Sequence, residues 1–294
     1  MIEAKIVLDS INPTRDRITS WLLTYPRFIH AELNTHRAFS RNASSSRAIP
    51  VQKMLEAVKT NPAMPVFWGK NQSGMQAKEQ LDDIVADQFR TVEIDGVKRL
   101  LPFTRLQAAK HDWLAARDLA VKSVEQLLEV GLHKQITNRL LEPWMHITVL
   151  VTGTEFENFF SLRAHEDAQP EFQKLAYMML ELYNKSTPNE LKDGEWHIPF
   201  GDKMPDGVTE AERLKIATAR CARTSYLSFD GGIDATKDYG IHDKLYQSGH
   251  WSPFEHCAIA MDDSVPCGNF TGWMQYRKMF PSELRRDNRV IRHK

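Results

Sequence analysis

The sequence lacks several features that mark particular classes of protein. It has only three cysteines, an odd number without the spacing of metal ligands, which predicts a reducing compartment, no disulfide framework and no metal site. No stretch approaches the roughly 18 to 20 apolar residues of a membrane helix, and the N-terminus does not have the pattern of a signal peptide. The glycine-rich loops GxxxxGK[ST] and GxGxxG are absent as well. The sequence therefore predicts a cytosolic protein without a standard nucleotide-binding loop.

The chain also lacks net charge, because 38 Lys and Arg residues balance 38 Asp and Glu residues. The two ends are nevertheless basic: residues 1–60 have nine Lys and Arg against five Asp and Glu, and residues 275–294 have seven against two. A neutral whole argues against broad electrostatic binding to nucleic acid. The basic ends predict local anion sites for a phosphorylated small ligand, although a solvated charged surface would have the same composition.

What is present is a mixture of strand and helix patterns, which predicts the α+β class. Branched and aromatic residues indicate strands at 4–9, 18–25 and 257–261. Helical periodicity indicates helices at 28–33, 51–60, 76–89, 106–130, 171–183, 209–221, 241–247 and 270–278. Proline and glycine mark a loop at 61–75 and a candidate domain boundary at 187–207.

Residues 35–47, THRAFSRNASSSR, form the first candidate ligand segment. His36, Arg37, Arg41 and Arg47 are four potential cations, interleaved with serine and asparagine. Serine and asparagine side chains compete for backbone hydrogen bonds, so a loop is expected here. Guanidinium and hydroxyl groups together suit a phosphate or a planar heterocycle. An ordinary basic surface loop is the alternative interpretation.

This segment resembles the RHRxxSxNExSxR signature of the flavin-dependent thymidylate synthases. The matching positions are His36, Arg37, Ser40, Asn42, Ser45 and Arg47. Thr35 replaces the first Arg of the signature, and Ala43 replaces its Glu. Glu32 stands where the family usually has Gln, so a carboxylate that only accepts hydrogen bonds replaces an amide.

A second block of resemblance lies at 138–143 and 158–171. NRLLEP is similar to the family's ARxxLP segment, and NFFSLRAHEDAQPE is similar to NFLxLR followed by HAQxE. The resemblance implies that Arg139 and Arg163 bind the nucleotide, that Arg163 is the catalytic group facing the pyrimidine, and that Asn158 lies beside the flavin. The chain departs from the family pattern at three further positions: Thr152, Thr154 and Asp167.

A third block is displaced along the chain. GHWSPFEH at 249–256 resembles the family's GHxSPFEH element, which in ordinary members precedes the RHR motif and here follows it. This order predicts a diverged, duplicated or permuted member, with a phage-encoded enzyme acting in the host cytosol as one option. A thymidylate synthase-like domain at 1–186, with an unassigned insertion at 52–130, would be followed by a second partial copy at 208–294. The resemblance implies that FAD is held by His36, Arg37, Asn158, His250, Ser252 and Glu255.

The family resemblance implies FAD-dependent transfer of a one-carbon group to C5 of a pyrimidine deoxynucleotide. NADPH would reduce FAD, and methylenetetrahydrofolate would supply the carbon, converting dUMP to dTMP or to a hydroxymethylated variant. A dCMP substrate is the other option, because a carboxylate can accept from an exocyclic amine. The expected nucleotide-binding residues are Glu32, Ser45, Arg47, Arg139 and Arg163.

The resemblance also predicts an oligomer, and the sequence leaves two other functions open. Family members are homotetramers whose sites combine several subunits, so a dimer or tetramer without membrane contact is expected. The lost signature residues also allow a non-catalytic, nucleotide-binding paralogue, which would not bind FAD. A nucleic-acid-binding module is a third reading, and it depends only on the basic ends.

Overall fold

The computed structural model describes residues 1–226, 235–281 and 283, so most of the basic tail lies outside the described residues. The strands are β1 (Glu3–Ile11), β2 (Arg17–Pro26), β3 (Ser40–Ala43), β4 (Val85–Ile94), β5 (Val97–Thr104), β6 (His146–Gly153), β7 (Asn189–Glu190), β8 (Trp196–His197), β9 (Ala258–Ala260), β10 (Pro266–Cys267), β11 (Phe270–Thr271) and β12 (Trp273–Gln275). The α-helices are α1 (His30–Asn34), α2 (Val51–Thr60), α3 (Arg105–Glu129), α4 (Lys134–Thr137), α5 (Glu157–Arg163), α6 (Pro170–Lys185), α7 (Glu210–Arg223) and α8 (Thr236–Ser248).

The main sheet has the order β3-β6-β2-β1-β7, antiparallel except for the parallel pair β1 and β7. Side chains alternate between the faces of a strand, and Trp21, Leu23 and Tyr25 of β2 are fully buried on one face. There they pack in one cluster with residues of α5 and α6, among them Phe159 and Phe172. This core fixes the position of α5, the helix that ends at Arg163.

The opposite face of the sheet is covered by the C-terminal part of the chain. Ser10, Ser20 and Thr152 project from this face and form one buried chain of hydrogen bonds with two histidines, in the order Ser10, His197, Ser20, Thr152 and His256. Burial lowers the pKa of both His197 and His256 to about 3. Both rings are therefore neutral at physiological pH, and they join β8 and the segment before β9 to the main sheet.

Two predicted helices are wrong. The segment 76–89 enters strand β4, because the following residues pair with β5 around a tight turn in which Asp95 and Gly96 have φ of 50° and 75°. The segment 270–278 forms β11, β12 and a single 3-10 turn (Tyr276–Met279), since β12 pairs with β9. The expected loop 35–47 also contains a strand, because β3 pairs with β6. In each case pairing with a distant strand overrides the local pattern.

The α+β class is confirmed, whereas the second partial copy is not. The division into units 1–186 and 208–294 stays a prediction. The two stretches are in direct contact, since Asn12 Nδ2 donates to the carbonyls of Met261 (3.1 Å) and Gly272 (2.9 Å). Within the described ranges, no helix is long and apolar enough to cross a membrane.

Candidate functional site

The candidate nucleotide-binding residues are divided between two cavities that share no lining residue. Glu32 and Arg163 line a cavity of about 820 Å³, here called the Arg163 cavity. Ser45 and Arg47 line a cleft of about 370 Å³, here called the Ser45 cleft. Arg139 lines neither; its side chain is exposed, with Nη1 4.0 Å from the carboxylate of Glu142.

Arg163, the last residue of α5, is fixed from three sides. Its Nε donates to His36 Nε2 (3.0 Å), and its Nη2 donates to Thr35 Oγ1 (3.2 Å). The guanidinium carbon lies 5.1 Å from the centre of the Phe172 ring, within the range of a cation–π contact. The plane of the guanidinium is therefore held beside the cavity, and Thr35, which replaces an Arg of the family signature, is one of the groups that hold it.

The protonation state of His36 explains how its ring can accept a hydrogen bond from the cation Arg163. The ring is buried against Phe39 and Phe159, and burial, with the nearby charges of Arg163 and Arg41, lowers the pKa of His36 to about 4. A neutral imidazole has one acceptor nitrogen, and Nε2 is that acceptor because Arg163 can only donate. His36 thus contacts Arg163 directly, and its predicted role as a flavin ligand stays a prediction.

Two glutamates line the Arg163 cavity, and their carboxylates differ in hydrogen bonding. Glu171 is 1% exposed, and its carboxylate accepts from Val66 N (2.5 Å) and Gln169 Nε2 (2.6 Å). Glu32, on α1, has a buried Oε2 for which no hydrogen-bond partner is found among the described residues. Burial of an unpaired carboxylate oxygen is costly, so Glu32 retains an acceptor that a ligand can use.

Among the described residues, the Ser45 cleft is lined by two cations and no carboxylate, and this lining suits a phosphate. The cations are Arg47, which is exposed, and Lys134 of α4. Lys134 Nζ donates to Ala48 O (3.0 Å), and the buried Asn138 donates to Ser46 O at 2.6 Å. These bonds fix the loop that follows β3. Sequence reasoning missed Lys134 because it belongs to no motif and only the fold brings it beside Arg47.

The displaced GHWSPFEH element lies against the first motif, although the two are far apart in sequence. His250 and Ser252 line a third cleft of about 410 Å³ together with Arg41 and Asn42. Ser252 Oγ donates to Arg41 O (3.0 Å) and contacts Asn42 Oδ1. This His250 cleft shares Ser225 and Tyr226 with the Ser45 cleft, so the two adjoin.

The remaining cofactor candidates lie outside these cavities. Glu255 forms an ion pair with Arg277, and the side chains of Arg37 and Asn158 are exposed to solvent. The His250 cleft presents the rings of Trp251 and Tyr226, which suit one planar ring of FAD. Its volume and lining fit a part of the cofactor, and the exposed candidates would have to contact the rest of it from outside the cleft.

Comparison with known proteins matches the part of the chain that contains the motifs at 35–47 and 158–171. A family model described as thymidylate synthase complementing protein matches residues 18–189, more than half of the chain. Among curated proteins, none matches. Two structures of the UMP/dUMP methylase PolB from Streptomyces cacaoi are similar. The one bound with 5-Br dUMP has 16% identity and a TM-score of 0.39, covering 57% of this chain and 66% of that chain. The one bound with 5-Br UMP has 15% identity and a TM-score of 0.42, covering 63% and 89%.

Proposed function

The chain belongs to the thymidylate synthase complementing protein family, the flavin-dependent thymidylate synthases, and is a thymidylate synthase-like methyltransferase. From that premise we propose that it uses FAD and methylenetetrahydrofolate to add a one-carbon group to C5 of a pyrimidine deoxynucleotide, with NADPH as reductant. The observation that carries the proposal is the fixed guanidinium of Arg163 beside the largest of the cavities described above.

Arg163 is the catalytic residue of this proposal. Reaction at C5 is assisted when negative charge on the pyrimidine ring, at N3 and its neighbouring oxygen, is stabilised. A preorganised cation supplies that stabilisation without reorganising during the reaction. The neutral His36 and the hydroxyl of Thr35 position the guanidinium while leaving its Nη1 without a hydrogen bond to either residue.

The phosphate of the nucleotide is assigned to the Ser45 cleft. Arg47 and Lys134 provide charge, and Ser45 Oγ, which accepts from Arg47 N at 3.3 Å, still has a proton to donate. This cleft and the Arg163 cavity share no described lining residue, and we infer that one nucleotide is held by the Ser45 cleft of one copy and the Arg163 cavity of another. That arrangement accounts for the expected homo-oligomer.

FAD, when bound, would supply the hydride that completes the transferred group. The residues that would hold it are His250 and Ser252 in the His250 cleft, with Arg37 and Asn158 contributing from the exposed surface. Glu255 would act indirectly, through its ion pair with Arg277.

The test is to purify the full chain and record its visible spectrum, then measure NADPH-dependent turnover of dUMP with methylenetetrahydrofolate. Flavin absorbance and turnover are expected. A colourless protein that binds the nucleotide and does not turn it over would support the non-catalytic paralogue instead. In that protein, the presence of Thr35, Ala43 and the buried Thr152 in place of the family's residues has removed FAD binding.

A further inference from the structure

The stretch 52–130, which resembles no part of the family signature, builds much of the Arg163 cavity. Residues 65–78, here called the strap, form one wall of it. The strap is fixed to the rest of the site at two points: Val66 N donates to the buried carboxylate of Glu171 (2.5 Å), and Gln76 Nε2 donates to Glu166 O (2.7 Å). Gly69 permits the two arms of the strap to touch, since a Cβ there would lie 2.3 Å from Ala77 Cβ.

The strap and its neighbours give the cavity an aromatic side. Phe67 comes from the strap, Trp113 from α3 and Phe28 from the turn before α1. Trp113 is held by a bond from its Nε1 to Ala63 O (3.0 Å), and its ring is edge-on to Phe28 at 6.2 Å. Half-buried aromatic rings of this kind stack with planar ligands.

The polar side of the same cavity presents an acceptor without a donor. The Glu32 side chain lines the cavity, and its carboxylate has no hydrogen-bond donor on the buried Oε2 among the described residues. A carboxylate accepts well from an exocyclic amine, as it does from cytosine N4. Uracil offers only N3–H, flanked by two carbonyl oxygens that a carboxylate would repel.

We propose that the Arg163 cavity binds a planar heterocycle with an amino group on its edge, and that this amino group donates to the Glu32 carboxylate. The heterocycle lies against the aromatic side of the cavity, and the strap determines which ring fits. Two ligands of the proposed reaction can offer this edge, a cytosine nucleotide or the pterin ring of the folate. The choice of these two ligands rests on the proposed function.

The experiment is calorimetric titration of the full chain with dCMP, dUMP and tetrahydrofolate, for wild type, Glu32→Gln and the control Asp167→Asn. Asp167 lines the same cavity, but its carboxylate is exposed. In wild type, dCMP or tetrahydrofolate should bind at least about tenfold more tightly than dUMP, because a site built for a donor rejects ligands that lack it. Glu32→Gln should abolish that preference, and Asp167→Asn should leave it within about twofold.

The amino ligand whose affinity falls in Glu32→Gln identifies the source, nucleotide or folate. If dUMP binds wild type at least as tightly as both amino ligands, the inference is overturned, as it is if Asp167→Asn has the same effect as Glu32→Gln. Phe67→Ala provides a second test, because it should weaken binding of the same amino ligand while leaving Glu32 in place. An unchanged affinity would show that the ligand does not lie against the aromatic side of the cavity.

Failure of this inference is distinguishable from failure of the proposed function. Flavin-dependent turnover of dUMP by a protein that binds dUMP at least as tightly as both amino ligands would overturn the inference and leave the function. Binding that depends on Glu32 in a protein without flavin or turnover would overturn the function and leave the inference.

Discussion

The Arg163 cavity and the Ser45 cleft differ in how charge is arranged. In the cavity, one guanidinium is immobilised by His36, Thr35 and an aromatic ring, and carboxylates line the same space. In the cleft, Arg47 and Lys134 have no carboxylate beside them among the lining residues that the structure describes. A guanidinium held in one position suits stabilisation of charge that develops on a ring during reaction, whereas two neighbouring cations without a described carboxylate suit a permanent phosphate charge. The first region should therefore control turnover and the second should control affinity.

The largest expected effect is that of Arg163→Ala. Loss of an electrostatic stabiliser should reduce kcat by about 10² or more, while flavin content stays unchanged because FAD is assigned to other residues. Arg163→Lys should also fail, since a point charge cannot reproduce the bonds to His36 and Thr35 together. Steady-state kinetics and flavin absorbance measure both quantities. Wild-type kcat in a folded Arg163→Ala protein would contradict the role.

A smaller loss of turnover is expected for His36→Phe, which keeps the aromatic packing and removes the acceptor for Arg163 Nε. Misplacement of the guanidinium should lower kcat by about 10- to 100-fold with little change in KM. His36→Gln retains an acceptor and should recover part of the rate. The control is His30→Phe at the start of α1, because His30 Nδ1 is hydrogen-bonded to Tyr25 Oη and not to Arg163. Equal rates in the two Phe variants would show that His36 does not position Arg163.

The Ser45 cleft should show the opposite kinetic pattern. Arg47→Ala and Lys134→Ala should each raise KM for dUMP by about tenfold with kcat retained, because each removes a charged contact to phosphate. Binding of deoxyuridine, which has no phosphate, should not change. Arg15→Ala is the control, since Arg15 is an exposed arginine paired with Glu190. An equal loss for dUMP and deoxyuridine would place the phosphate elsewhere.

The remaining prediction concerns stability instead of turnover, in the layer that carries the His250 cleft. His197 and His256 are buried, and their pKa is lowered to about 3 by burial. Unfolded histidines bind protons below about pH 6.5, whereas the two buried rings stay neutral to a lower pH. The unfolded state therefore binds more protons than the folded state in this range. Stability is complete above that pH and should fall toward pH 4 by up to about 1.4 kcal/mol per pH unit for each ring.

Urea unfolding at several pH values measures this slope. The variant His197→Gln should be less pH-dependent than wild type between pH 6.5 and 4.5, because one of the two buried rings is gone. An identical slope in both proteins would show that the histidines do not titrate with unfolding.

Much of the fold could be predicted from sequence where local pattern and tertiary structure agree. The strands at 4–9 and 18–25 and the helix at 106–130 were of this kind. The helix predicted at 76–89 failed because the β4 and β5 pairing was not visible locally.

The candidate site shows the same limit. Glu32, Arg163, Ser45 and Arg47 could be named from motifs, but sequence could not show that they line two different cavities. It also could not show that Lys134 joins Arg47, or that His36 is buried and neutral, because these properties arise from packing between distant elements.

The most direct test of the central claim follows the hydrogen at C5. The full chain is incubated with dUMP labelled with tritium at C5, FAD, NADPH and methylenetetrahydrofolate, and tritium release to water is measured for wild type, Arg163→Ala and Arg47→Ala. The account predicts release by wild type, loss of about 10² or more in Arg163→Ala at saturating nucleotide, and recovery of the wild-type rate by Arg47→Ala once the dUMP concentration is raised. Equal rates for wild type and Arg163→Ala, or no release by a flavin-loaded wild type, would contradict it.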